Sequence, residues 1–334
     1  MRVLVVGQGL AGTLVSHFAL QRGWDVHVID AGFPSASAVA AGMFNPMSFR
    51  RIVEVWEAEL HRSWMLRTYR EIEKILGQEL VHELPIFKQL PNPDYAELWA
   101  QRAETLPWIH SPEPETNDGL VEGGGWVNLP LLIASWRDWL LNQNRFELRE
   151  LRDTERFPGP TGTWNTVIDC RGLGIRADAG FQALDIRANR GELLTVTPSS
   201  GQAPPLREAI LNFGKWLIPL GGNRWRLGAS YEWNRDDLEA TEATRIFLLQ
   251  KAKEATPDGL EWRVLDHKVG IRPVSRDRRP AVGALPGKEH WYILNGLGTR
   301  GVLIAPRWAH HLCDIIDRSS PHISEVQPHR LWIA

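Results

Sequence analysis

Two groups of residues, at opposite ends of the chain, have types and spacings that suit chemistry. The first is Gly7-Gln8-Gly9-Leu10-Ala11-Gly12, which follows the apolar run MRVLVV and opens a helical pattern, with Asp30 standing 18 residues after Gly12. In such a turn Gly7 permits a tight reversal, Gly9 lets backbone approach a pyrophosphate, and Gly12 lets helix and strand pack closely. Leu10 and Ala11 begin the helix, whose amino-terminal end favours an anion by about 0.3–1 kcal/mol. Asp30 is placed to accept hydrogen bonds from an adenosine ribose, and an acid there disfavours a ribose phosphate, so FAD or NAD is expected over NADP. The second group is Arg272-Pro273 and the segment NGLGTRG. Pro273 pushes Arg272 towards extended backbone, so that a guanidinium projects from a strand end. That suits carboxylate capture, although Arg276, Arg278 and Arg279 show that a structural salt bridge is the competing fate. Gly296, Gly298 and Gly301 free the backbone before a last helix whose amides then point at a ligand. Pro306 is tolerated in that first turn because amides there need no intrahelical partner.

These residues need a scaffold, and the surrounding pattern supplies one. MRVLVVG reads as a buried parallel strand, Leu10 to Arg22 as a helix, and DVHVID as a second strand. A long amphipathic helix is expected over Ile52 to Leu76, HELPIFKQL reads as one strand, and NPDYAELWAQRAETL as a capped helix. Asn128 caps another helix carrying Leu129, Leu132, Ile133, Trp136 and Leu140 on one face. TWNTVIDCRGLG is a strand ending in a glycine turn at Gly172, where a doubly wound sheet presents its carboxyl edge to a ligand. Between Arg187 and Tyr231 the period drops to two, and KWLIPL and RWRLGASYEW, joined at Gly221, Gly222 and Asn223, predict a mostly antiparallel sheet. DHKVGIRP and WYILNG are further strands, and a helix follows near Val302 to Asp317. The fold class is therefore α/β, a Rossmann-like FAD-binding domain with a parallel sheet and an inserted α+β substrate domain on a mostly antiparallel sheet. The expected boundaries are about 1–48, 120–185 and 268–334 for the first domain and about 49–119 and 186–267 for the second. An NAD dehydrogenase generally completes its nucleotide domain in consecutive βαβ units; this interruption favours FAD.

Composition narrows the partners. With 334 residues and a net charge of -2, the chain has a core to bury but no basic block to track phosphates, so nucleic acid is not favoured. Cys170 and Cys313 are far apart and form neither a disulfide framework nor a metal-ligand spacing, so no metal is expected and a reducing, cytoplasmic compartment fits. Arg2 before an apolar run resembles a leader, but the motif glycines interrupt it, and it reads as folded chain. No apolar run reaches the ~18 residues of a membrane span. The 16 tryptophans, Trp136, Trp225 and Trp308 among them, read mainly as core.

Five segments together resemble the D-amino-acid oxidase or glycine oxidase-like family of FAD-dependent oxidoreductases, over nearly the whole length. They are VVGQGLAGTLVSHFALQRGWDVHVID, SAVAAGMFNP, RGELLTV, RWRLGASYEW, and VGIRPVSRDRRPAVGALP with NGLGTRGVLIAP. The resemblance implies that FAD is held non-covalently, and that Ala40, Ala41 and Gly42 let backbone lie against the isoalloxazine with Met43 on an apolar edge. It places Gly298, Thr299, Arg300, Gly301 and Val302 at the flavin, Arg272 on a substrate carboxylate, and Arg300 near the substrate. Tyr231 is a candidate second contact or a packing residue, and His267 a candidate base. The implied reaction is oxidation of the C–N bond of an amino acid or secondary amine, by hydride transfer to flavin N5 and hydrolysis of the imine, with oxygen or an electron carrier as acceptor. FNPMSFRR departs from the glycine oxidase pattern. Arg50 and Arg51 either add positive charge near the flavin or cap the next helix, and the substrate is open there. The alternatives are a 2-hydroxy acid, a modified tRNA amine, or a flavin-binding redox subunit without its own turnover.

Overall fold

The computed structural model describes residues 1–112, 118–151, 164–178, 181, 183–200, 208–233, 235–256 and 260–332. Strand β1 (Arg2–Val6) is apolar and enclosed on both faces after its first residue, helix α1 (Leu10–Gln21) returns across it, and β2 (Asp25–Asp30) lies parallel beside it. The full sheet runs Phe146–Leu148, β2, β1, Thr166–Asp169, Trp291–Asn295 and Ala281–Ala284; its first five strands are parallel and the last is antiparallel. One face buries α1 and the helices Leu129–Asn142, Gly301–Ile316 and Ala58–Leu76 in a common core. Trp136 and Trp308 belong to that core, as expected, and Trp225 is half-buried edge-on to Trp262 in the other sheet.

The second sheet has eight strands, and all of its pairs but one are antiparallel. Its backbone is the long pair Ile186–Pro198 and Trp262–Ser275, in which Asn189 lies opposite Arg272 and Gly191 opposite Gly270. The Trp216–Gly221 and Arg224–Gly228 hairpin turns through Gly221, Gly222 and Asn223, all at positive φ, as the sequence pattern requires. An α/β fold of parallel and antiparallel sheets is thus observed. Residue 268 falls inside one unbroken strand.

Two expected elements differ, and Pro306, expected in the first turn of the last helix, is the sixth residue of Gly301–Ile316 and lies inside it. The long helix begins at Ala58, not Ile52, because Ile52 and Glu57 both sit at φ 47°, and Met47–Ser48 pairs with Val53–Glu54 as a small hairpin. Arg50 and Arg51 occupy the exposed turn of that hairpin and cap no helix. HELPIFKQL divides at Leu84-Pro85: Val81–Glu83 joins a three-stranded sheet with Gly125–Val127 and Met43–Phe44, whereas Ile86–Gln89 enters the large sheet. The segment before Ala40 contains one helical turn, Ala36–Val39, capped by Ser35 Oγ on the amide of Ala38 at 3.1 Å. Among the described residues, no helix is long and apolar enough to cross a membrane.

Candidate active site

The glycine turn sits at the carboxyl edge of β1. A Cβ on Gly12 would overlap the Gly7 carbonyl oxygen, so the close packing expected of Gly12 is a geometric requirement, and Gly12 lies behind the cleft, not in its wall. The amino-terminal end of α1 has no side-chain cap and no acidic residue in its first turn. Ser37 Oγ accepts from the Leu10 amide at 3.0 Å and ties this turn to the Ala36–Val39 helix. Asp30 accepts from the Gln8 amide at 2.6 Å through one oxygen and from the Gly32 amide at 2.7 Å through the other. Each carboxylate oxygen keeps a further lone pair for a hydroxyl.

A cleft of about 630 Å³ starts here, and Gly7, Gly9, Leu10, Ala11, Asp30 and Gly172 line it. Asp169, fully buried at the end of its strand, accepts from the backbone amide and the guanidinium of Arg171 and shapes the turn that presents Gly172. A second cleft of about 320 Å³ shares Leu10, Ala36, Ser37, Pro273 and Leu297 with the first. Its walls include Ala40, Ala41, Gly42 and Met43 on one side, Gly298, Thr299, Arg300, Gly301 and Val302 on another, and Tyr231 and Arg272 from the antiparallel sheet. Gly42 has φ 74°, and a Cβ there would run into the Val127 carbonyl oxygen. The sequence carries glycine because this backbone is pressed against a neighbouring strand.

Among the described residues, both arginines of the smaller cleft meet only neutral groups. Arg272 donates from Nη1 to Asn189 Oδ1 at 3.0 Å and lies over the Tyr231 ring at 4.9 Å. A Cβ on Gly191 would collide with its guanidinium, so that glycine makes the arginine's resting place. Arg300 donates to the Asn45 carbonyl at 3.4 Å. Burial pulls both guanidinium pKa values down, against a smaller opposing effect of Tyr231. Arginine does not lose its proton in proteins, so the partial burial of these two groups is a desolvation that an anion would relieve.

Other residues prove different in role or were invisible beforehand. His267 lies 2.7 Å from the buried carboxylate of Glu192, which also accepts from Arg190 and Thr241, and it does not line the cleft. The structure places it beside Glu192, Arg190 and Thr241, away from that cleft. Arg226, whose pKa burial also lowers, donates to the carbonyls of Ala40 and Ala41 at 3.3 and 3.4 Å. It holds the segment facing the smaller cleft from behind. Asn45, Met47 and Phe49 of FNPMSFRR enter the cleft wall, while Arg50 and Arg51 do not.

The sites fit a flavin dinucleotide: a glycine-opened helix terminus with no acidic residue for a pyrophosphate, Asp30 for a ribose, and a second cleft floored by small residues for a ring system. Such a scaffold, with a second sheet closing over a dinucleotide cleft, defines a flavin-type oxidoreductase. Residues 2–315 match the DAO family model, "FAD dependent oxidoreductase", and the chain belongs to that family. It is an FAD-dependent oxidoreductase. Among curated relatives, the tRNA 5-methylaminomethyl-2-thiouridine biosynthesis bifunctional protein of Legionella pneumophila (strain Lens) is 23% identical over 371 residues, covering 94% of this chain and 54% of that protein. The chain spans about half the length of these bifunctional relatives. Glycine oxidase of Pseudomonas aeruginosa is 25% identical, with 96% of each chain covered. Glycine oxidase of Geobacillus kaustophilus superposes with a TM-score of 0.77 at 21% identity, over 98% of both chains, which establishes the shared fold.

Proposed function

We propose that this enzyme oxidises the C–N bond of a carboxylate-bearing amine, an amino acid or a secondary amine. One observation carries the reading: two guanidinium groups face a small cleft whose lining contains no Asp or Glu. Leaving a buried positive charge unpaired is costly, and a substrate carboxylate is the partner that the site lacks. Arg272 binds that carboxylate through paired charge-assisted bonds, and its contact with Asn189 and the Tyr231 ring fixes the angle of the fork. Tyr231, an exposed residue of the cleft lining, borders the substrate. Gly7, Gly9 and the α1 terminus hold the pyrophosphate of FAD, Asp30 its ribose, and Ala40–Met43 with Gly298–Val302 its ring. Bound FAD would supply a two-electron acceptor for the hydride of the carbon next to nitrogen, with oxygen or a carrier as the final acceptor. Loss of the N–H proton and addition of water would then break the C–N bond, giving an oxo acid and an amine or ammonia. The chain's part is positioning and exclusion of water.

We also propose the division of labour expected from the sequence, with 1–48, 120–185 and 268–334 holding FAD and 49–119 and 186–267 enclosing substrate. The helix Ala58–Leu76 then serves both, since its Tyr69 hydroxyl donates to the Val302 carbonyl at 3.1 Å.

Arg272→Ala should retain its flavin and lose about ten- to hundred-fold in affinity for a carboxylate ligand, from a charge-assisted contact worth ~1.5–3 kcal/mol. Titration of the flavin absorbance of the oxidised enzyme measures it. An unchanged affinity removes Arg272 from the site. The names of the bifunctional relatives favour a modified tRNA amine as a second reading, and bleaching of the flavin by tRNA but by no small amine would establish it.

A further inference from the structure

We infer that the substrate is an amine carrying two carboxylates, one for Arg272 and one for Arg300. The inference rests on the reading of the smaller cleft as the substrate site and makes that reading more specific. The two guanidinium groups come from different elements: Arg272 from the long strand Trp262–Ser275, Arg300 from the turn that opens the helix Gly301–Ile316. They enter one cleft of about 320 Å³, and neither has an ion-pair partner among the described residues. Arginines elsewhere in this protein show the usual alternative: Arg171 lies on Asp169, Arg190 on Glu192 and Glu232, and Arg235 on Glu232 and Asp237.

Charge accounting separates one carboxylate from two. The helix Gly301–Ile316 has no side-chain cap and no acidic residue in its first turn, so its terminus adds positive potential beside Arg300. The oxidised isoalloxazine is neutral and cancels none of it. A monocarboxylate on Arg272 leaves Arg300 uncompensated, with only the Asn45 carbonyl at 3.4 Å. A charge in that state is penalised by desolvation, and a second carboxylate converts the penalty into a charge-assisted pair. The remaining walls, including Met43, Met47, Phe49 and Trp216, offer apolar surface and no competing anion. An acidic amino acid and a secondary amine with a carboxylate on each arm share this chemistry.

The test uses oxidised holoenzyme and ligands that cannot react. Acetate and propionate are compared with malonate and succinate by perturbation of the flavin spectrum and by calorimetry. Dicarboxylates should bind on the order of ten- to hundred-fold more tightly, the equivalent of one added charge-assisted contact. Arg300→Met should erase that advantage while changing monocarboxylate affinity less than about three-fold, and Arg300→Lys should restore part of it. Equal affinities in the wild-type enzyme would overturn the inference without any variant, as would an Arg300→Met loss of the same proportion for both ligand classes. Either result leaves the monocarboxylate reading intact. If no carboxylate binds and Arg272→Ala changes nothing, the cleft is not a carboxylate site and both readings fall.

Discussion

Residues whose requirement is local could be read from the chain alone. Gly12 is an example: a side chain there would strike the Gly7 carbonyl, five residues back. Gly42, read from the chain as a place where backbone meets the flavin, is also pressed on the Val127 carbonyl of a distant strand, which nothing nearby in the sequence announces. Gly42→Ala should combine strain of roughly 1–3 kcal/mol at φ 74° with displacement of the Ala40–Met43 segment. The expected outcome is a lower melting temperature and substoichiometric flavin in the purified protein; full flavin occupancy at wild-type stability would contradict the close contact. Arg272 was legible because Pro273 advertises an extended arginine. Arg226 and Asn189 were not, since nothing in a strand's own sequence names the carbonyl or guanidinium it will meet across a fold. The place of His267 was hidden for the same reason: its neighbour Glu192 lies 75 positions away, and only the strand register brings them together.

At the scale of elements, helices announced by caps were read correctly and the exceptions have physical causes. Asn92 and Asn128 cap their helices through their side chains, on the amides of Tyr95 and Leu131. Ile52, Val55 and Trp56 continue an apolar pattern into the Ala58–Leu76 helix without belonging to it, because buried hairpin residues can mimic a helical face. HELPIFKQL read as one strand because alternation persists across Pro85, although the chain changes sheets there. The helices also carry a pH dependence. His17 on α1 is buried against Trp136, and burial pushes its pKa down to about 4; His61 on the long helix packs by Trp56 and Trp308, and burial with the charges of Arg307 and Arg279 pushes its pKa down to about 3. Unfolded histidine binds its proton near pH 6.5, so these groups favour the folded state above that pH and cease to do so as pH falls towards 4 and 3. By those shifts the loss is about 3 kcal/mol for His17 and about 5 kcal/mol for His61. The unfolding free energy should therefore drop between pH 6.5 and 4, and His61→Phe should flatten the slope; equal slopes in denaturant titrations of the two proteins would contradict a buried neutral His61.

For the whole molecule, the dinucleotide half was legible from β1 to Asp30 because its motif is contiguous. In the substrate half the resemblance named Ala40–Met43, Tyr231, Arg272 and Arg300 one by one, but their meeting in one cleft was not legible, since these segments are far apart in the chain. Motif order along the chain supplied the family, and the match over residues 2–315 bears it out. The specific chemistry is a claim about the assembled cleft, and the most direct test is anaerobic reduction. The purified yellow holoenzyme is mixed without oxygen with acidic amino acids and N-carboxymethyl amino acids, with monocarboxylate amino acids, and with 2-hydroxy acids of matching skeleton. Bleaching of the flavin by a carboxylate-bearing amine, fastest with two carboxylates and absent with the hydroxy acid, is the predicted result. Bleaching by the hydroxy acid and by none of the amines would contradict the account.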